Sequence, residues 1–219
     1  MTAFDLLVAL HKPSERQGPG STETTIRALN LLGIDQSSQL NICDIGCGTG
    51  AQTLDLARHT SGKVIAVDIF DAFLEELNHR AKAAGLDHRI NTQKHSMDEL
   101  PFAEESFDLI WSEGAIYNMG FEKGVHYWKT FLKTGGYLAV SEISWLTDQR
   151  PPDLEAFWKE AYPEIDTISG KIKVLEKAGF TPLAHFVLPP TCWLDHYYLP
   201  LEARHETFLD KYSENPEAG

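Results

Sequence analysis

The segment DIGCGTGAQTLDLA, Asp44 to Ala57, sets an acidic residue two positions before the first of three glycines, in the order D-x-G-x-G-x-G. Gly46, Gly48 and Gly50 make a turn without side chains, and such a turn between a buried strand and the next helix puts a ligand at the carboxyl end of a parallel sheet. Gly46, Gly48 and Ala51 also satisfy G-x-G-x-x-G/A, and Asp68 lies at a separation suited to accepting hydrogen bonds from ribose hydroxyls. The glycines therefore describe a nucleoside binder without separating hydride transfer from other chemistry. Asp44 narrows the choice. A carboxylate inside the turn is ill placed beside a pyrophosphate and well placed near a cationic ammonium or sulfonium.

Other residues with chemical capacity are sparser. Cys43, Cys47 and Cys192 are an odd, scattered set, which is no disulfide framework, and no His or Cys pair beside them has ligand spacing. No two histidines or carboxylates show metal-ligand spacing either, so no metal is expected.

The elements that must position the glycine turn are legible as an alternation. LNICDI (Leu40 to Ile45) and KVIAVDIF (Lys63 to Phe70) are short apolar runs of the kind buried on both faces of a parallel sheet. RINTQK, FDLIWS (Phe107 to Ser112) and GYLAVSEIS (Gly136 to Ser144) continue the series, with helical apolar spacing between them, as in Phe73, Leu77, Ala81 and Ala84. Strands separated by helices give an α/β, doubly wound, mostly parallel sheet, because each crossover buries one face of it. SGKIKVLEKAGF reads as a further helix with Ile172 and Leu175 inward, TPLAHFVL as a sixth strand, and Leu201 to Tyr212 as a last helix. After Tyr212 only a polar tail, SENPEAG, follows. The whole of 1–219 reads as one domain, with 1–33 as an N-terminal helical cover, 35–145 as the ligand-binding core, and 146–170 and 189–200 as insertions over the ligand edge.

Composition bounds the partner. With 19 Lys and Arg against 32 Asp and Glu the formal net charge is −13, which repels a nucleic-acid backbone and favours a small-molecule ligand. The start, MTAFDLLVALHK, has no basic residues ahead of its apolar run, and no stretch reaches the roughly 18 apolar residues of a membrane span. A cytoplasmic location is expected.

Two further tracts accompany the glycine turn: SMDELPFAEESFDLI after the third strand and FLKTGGYLAVSE leading into the fifth. Together with DIGCGTG and the Asp68 strand end, they resemble class I S-adenosylmethionine-dependent methyltransferases, in the small-molecule branch typified by ubiquinone/menaquinone biosynthesis methyltransferases and, through the tail, an uncharacterised bacterial subgroup. The resemblance covers about residues 35 to 145. It implies a Rossmann-like methyltransferase fold, S-adenosyl-L-methionine as cofactor and S-adenosyl-L-homocysteine as product. It implies that Asp44, Gly46, Gly48 and Gly50 line the methionine and ribose side and that Asp68 holds both ribose hydroxyls. Ile69 then packs on the adenine, Ser96 and Met97 contact its edge and face, and Glu113 and Gly114 border the methionine amino group. Ser96 departs from the usual Asp at its position, so Asp98 is expected to share recognition of the adenine amine. SEGAIYN is not the N/D-P-P-Y tetrad of amide and nucleobase N-methylating relatives. The stretch HKPSERQGPGS resembles the cover that such enzymes fold over the cofactor. A seventh strand, normally returning between the fifth and sixth, is missing from the sequence, which favours a truncated chain.

For methyl transfer the remaining candidates are an acceptor site and a base. Tyr117 and Glu142 follow the fourth and fifth strands at the ligand edge, and His196, beside Asp195 in CWLDHYY, is the histidine placed as a general base. Trp145, Trp158 and Tyr162 are candidates for an acceptor wall. Two other readings compete: an NAD(P)-dependent oxidoreductase, from Gly46, Gly48, Ala51 and Asp68, and a non-catalytic binding module that retains the methyltransferase fold. The acceptor and the oligomeric state are not legible.

Overall fold

The computed structural model describes residues 1–215. The last four residues of the polar tail therefore lie outside the described residues. Five strands, β1 (Asn41–Ile45), β2 (Lys63–Asp68), β3 (Ile90–Lys94), β4 (Phe107–Glu113) and β5 (Leu132–Ser141), pair in the order β3-β2-β1-β4-β5. Every pairing is parallel. The chain moves outward from β1 to β3 and then returns to β4 on the other side of β1. This reversal opens a crevice at the carboxyl ends of β1 and β4, where ligands of open α/β sheets bind.

Helices cover both faces because successive strand residues point to opposite sides. Ile42, Leu109 and Trp111 join one core with Leu29, Leu54, Leu56 and Leu77, supplied by α2 (Thr22–Leu31), α3 (Ala51–His59) and α4 (Asp71–Ala83). Cys43, Ile45 and Ile110 join the other with Phe121, Val125 and Trp128 of α5 (Phe121–Lys129), against which α7 (Ile168–Lys177) packs. Adjacent residues of one strand thus feed separate cores, the two-sided burial that an unbroken apolar run predicts.

Residues Ala3–His11 form α1, closed by a capping box between Thr2 and Asp5, and α1 lies against the C-terminal helix α9 (Leu199–Lys211). Between β5 and α7 come a two-stranded ribbon, β6 (Ser144–Trp145) with β7 (Asp166–Thr167), and α6 (Pro152–Ala161).

One expected element is corrected. TPLAHFVL, Thr181 to Leu188, forms no strand and pairs with nothing in the sheet, so β5 is the sheet's last strand among the described residues. Pro182 denies the segment a donor. Phe186 is instead held by its side chain, with the Arg27 guanidinium of α2 4.2 Å from the ring centre. The chain then runs through a short helix, α8 (Pro190–Trp193), and one π-helical turn, Leu194–Tyr198, into α9.

Candidate active site

The glycine turn has the backbone its sequence requires. Gly46, Gly48 and Gly50 hold φ of +73°, +55° and +86°, a region that side chains strain. A Cβ on Gly46 would meet the Ala115 side chain at 2.4 Å and one on Gly50 the Leu77 side chain at 2.1 Å, so the turn is also packed tightly. Asp68, ending β2, fixes its geometry: Oδ2 accepts the Gly48 N–H at 2.8 Å and Oδ1 accepts the Phe70 N–H at 3.0 Å. Burial pushes the Asp68 carboxyl above its ordinary range, against these hydrogen bonds.

Asp44 lies wholly buried beneath the turn, accepting from the Thr53 hydroxyl at 2.5 Å and from the Gln52 amide at 3.5 Å. Burial pushes its carboxyl up to about 7; the Thr53 bond opposes the rise, and the charges of Glu113 and Asp68 add to it. A carboxyl that holds its proton more tightly in the folded state costs stability once both states are ionised. The cost is absent below about pH 4, grows to about pH 7 and persists above it, on the order of 4 kcal/mol for that shift. Asp44→Asn keeps an acceptor for Thr53 and is expected to raise the melting temperature at pH 8 but not at pH 4. Equal changes at both pH values in a thermal scan would exclude this cause.

The N-terminal segment is clamped onto the same turn. Gln17 Oε1 accepts the Thr49 N–H at 2.7 Å, and a Cβ on Gly48 would lie 2.3 Å from that oxygen. Arg80 of α4 donates to the carbonyls of Ser14 at 3.0 Å and Glu15 at 3.1 Å and to the Thr49 hydroxyl at 2.9 Å. Arg16 is buried and donates to Glu113 at 2.7 Å, to Thr25 at 3.1 Å and to Asp55 at 3.4 Å. The other Glu113 oxygen accepts from Thr25 at 2.7 Å and from the Trp111 indole at 3.0 Å. Glu113 is thus taken up by the arm and its neighbours. Gly114 donates its N–H to the Ser141 hydroxyl at 2.8 Å. Reading by local pattern missed Arg16, Gln17 and Arg80, since no periodicity marks a residue that bonds across some 30 to 100 positions.

Beyond Asp68, Ile69, His95, Ser96, Glu99 and Leu100 line a shallow depression. Ile69 is exposed there, and Ser96 donates to Asp98 at 2.5 Å, so the serine and the aspartate present one joint polar edge. Met97 reaches the glycine turn, its terminal methyl 3.7 Å from where a Gly46 Cβ would stand, while its carbonyl is held by the Trp128 indole at 2.9 Å.

A cavity of about 1560 Å³ opens on the other side, lined among others by Gly18, Gly114, Tyr117, Glu142, Tyr162 and Lys171. Tyr117 and Tyr162 meet edge to face at 6.0 Å, and the Tyr162 hydroxyl donates to Glu142 Oε1 at 2.5 Å. Burial pushes both the Glu142 carboxyl and the Tyr162 phenol up, the bond to Glu142 adding to the latter. Tyr117 and Glu142, expected together, are therefore brought to one cavity, with Trp158 also on its wall. Trp145 is not on it; its ring carries the Arg150 guanidinium at 4.7 Å. His196 is exposed on the π-helical turn and does not line the cavity, whereas Trp193, Tyr197 and Tyr198 from the same run do. Lys171 escaped notice as a helical lysine. The available signal was its place on the apolar stripe Ile168, Ile172 and Leu175, where a lysine needs a partner.

Among the described residues no group of three or more His, Cys, Asp and Glu side chains is placed to hold a metal ion, and no helix is long and apolar enough to cross a membrane.

The family described as a methyltransferase domain matches residues 42–136. Methyltransferase GfsG of Streptomyces halstedii is 31% identical over 111 residues, 50% of this chain and 40% of that protein. The 27-O-demethylrifamycin SV methyltransferase of Amycolatopsis mediterranei is 29% identical over 137 residues, 62% of this chain and 49% of that protein. The chain thus spans less than half the length of these curated relatives. A SAM-dependent methyltransferase from Thiobacillus denitrificans, solved in complex with S-adenosyl-L-homocysteine, shares the fold with a TM-score of 0.81 at 17% identity, covering 100% of this chain and 86% of that one.

Proposed function

We propose, on the premise that residues 42–136 carry a methyltransferase domain, that the protein transfers a methyl group from S-adenosylmethionine to a small-molecule acceptor. The observation that carries the reading is the glycine turn itself: three left-handed glycines held by Asp68, over a buried Asp44 suited to a nearby cation. These residues fit the cofactor, since the turn has no Cβ to exclude it and Asp68 retains lone pairs beyond its two backbone bonds. Asp44, Gly46, Gly48 and Gly50 would hold its methionine and ribose side, Asp68 the ribose hydroxyls, Ile69, Ser96 and Met97 the adenine, and Gly114 the amino end. Glu113 would act at one remove, anchoring Arg16 and with it the arm across the turn. When bound, the cofactor supplies an electrophilic methyl on sulfur.

The chain's own contribution is alignment and exclusion of water. The arm, residues 1–33, would cover the cofactor, and the segments 146–170 and 189–200 would wall the acceptor cavity with Trp158, Tyr162, Trp193 and Tyr197. Tyr117 would orient the acceptor, and Glu142, with its raised carboxyl, would take the proton that a hydroxyl loses on methylation. His196 has no part in this arrangement. The relatives' names, a rifamycin O-demethyl derivative methyltransferase among them, support a small-molecule acceptor. The net charge of −13 speaks against nucleic acid, and three buried free cysteines suit the reducing cytoplasm.

Isothermal titration with S-adenosylmethionine, S-adenosylhomocysteine and NADH tests the reading. Binding of the first two, and none of the third, is expected. Binding of NADH alone would replace it with the oxidoreductase reading, and silence from all three in a folded chain would leave a scaffold.

A further inference from the structure

Lys171 is buried and has all three ammonium protons engaged: Glu142 Oε1 at 2.7 Å, the Tyr162 hydroxyl at 3.0 Å and the Glu164 carbonyl at 2.7 Å. Its Nζ stands 4.7 Å from the ring centres of both Phe121 and Tyr162. The partner is lopsided. Glu142 receives two donors on Oε1, whereas Oε2 is buried and meets none, although the Glu142 side chain is only 7% exposed and an unpaired buried carboxylate oxygen is costly. Glu142, Tyr162 and Lys171 all line the large cavity.

From this geometry we infer that the polar end of the cavity selects an apolar or aromatic acceptor bearing a neutral hydrogen-bond donor, a hydroxyl, phenol or enol, which fills Glu142 Oε2 while Lys171 acts as the positioning residue. Lys171 and Glu142 set one cation against one anion at 2.7 Å, and the Glu164 carboxylate acts on the pair as a further negative charge. A ligand ammonium would bring a second cation against a saturated Lys171, and a ligand carboxylate would set an anion against Oε2. A hydroxyl that displaces the side chains closing over Oε2 meets its unused lone pairs without either conflict. Calling the ligand a methyl acceptor rests on the methyltransferase reading; the selectivity itself does not.

Four probes of one shape test this on the full chain: 2-naphthol, 2-(aminomethyl)naphthalene as the cation, 2-naphthoate as the anion and 2-methylnaphthalene. Titration followed by ligand-observed NMR, with S-adenosylhomocysteine affinity measured on the same samples, is expected to show naphthol binding at least tenfold tighter than the other three. Lys171→Met is expected to reverse the order in favour of the cation, because Glu142 then lacks its counter-charge; a merely structural lysine would weaken all four alike. Equal binding of the probes, preference for a charged one, no binding of naphthol, or an unchanged order in a folded Lys171→Met overturns the inference. If that variant does not fold, the wild-type ranking decides alone. Loss of S-adenosylhomocysteine binding with the naphthol preference intact would instead remove the methyltransferase reading and leave the selectivity standing.

Discussion

Replacing Asp68 by Ala lowers S-adenosylhomocysteine affinity at least about 100-fold, if the carboxylate accepts both ribose hydroxyls as proposed. Two hydrogen bonds to a charged group contribute about 1.5–3 kcal/mol each, and their loss together exceeds the 1.4 kcal/mol that a tenfold change requires by a factor of two or more. Asp68 has a second task, since its oxygens hold the Gly48 and Phe70 N–H groups. The variant therefore also loosens the turn, and calorimetry must be paired with a thermal scan. The ribose share is isolated by a 2′-deoxy analogue: the wild type should discriminate against it about tenfold, and Asp68→Ala should bind both ligands alike. A folded Asp68→Ala that keeps its affinity within threefold would mean that the second strand's end is not the ribose site.

The other large effect concerns the arm. Arg16→Met is expected to destabilise the fold by about 3–5 kcal/mol, the range for removing one member of a buried ion pair, and to lower the melting temperature by roughly 6–20 °C in a chain of this size. The magnitude follows from what is left behind. The side chains of Glu113 and Asp55 are only 13% and 3% exposed, and Arg16 is a shared partner of both, at 2.7 and 3.4 Å. Asp55 keeps the Arg58 cation at 3.3 Å as well as Thr22 at 2.9 Å, whereas Glu113 keeps only the neutral donors Thr25 and Trp111 on its other oxygen, so Glu113 suffers most. Adding Glu113→Gln to Arg16→Met should recover part of the loss, because a neutral amide no longer strands a charge; a double-mutant cycle by denaturant unfolding reads the coupling. A loss under 1 kcal/mol in the single variant would show that the arm is held by Gln17 and Arg80 instead, through Thr49 and the Ser14 carbonyl. Because the same arm lies over the glycine turn, cofactor affinity should fall alongside stability.

Much of the architecture was written locally. The runs Leu40 to Ile45, Lys63 to Phe70 and Phe107 to Ser112 declared themselves as buried strands because a strand covered on both faces is mostly apolar along its length, and the burial of β1, β2 and β4 in two separate cores bears this out. Helix spacing at Phe73, Leu77 and Ala81 declared the covering face of α4. The glycine turn was legible for a stricter reason, since left-handed backbone with no room for a Cβ leaves little choice of residue. What local pattern could not decide was the partner of each polar group and the fate of each weak run. TPLAHFVL has strand-like composition, yet it docks through Phe186 onto Arg27 and leaves β5 as the last strand, a choice made by packing. Arg16 and Lys171 meet Glu113 and Glu142 across 97 and 29 positions, out of 32 carboxylates that the composition offers. Periodicity reports whether a position is inside or outside; which charge it meets there depends on how distant segments are brought together. Local pattern was therefore enough for the buried strands and the glycine turn, while the arm, the cavity and the Lys171 cluster are assembled by contacts between segments far apart in the chain.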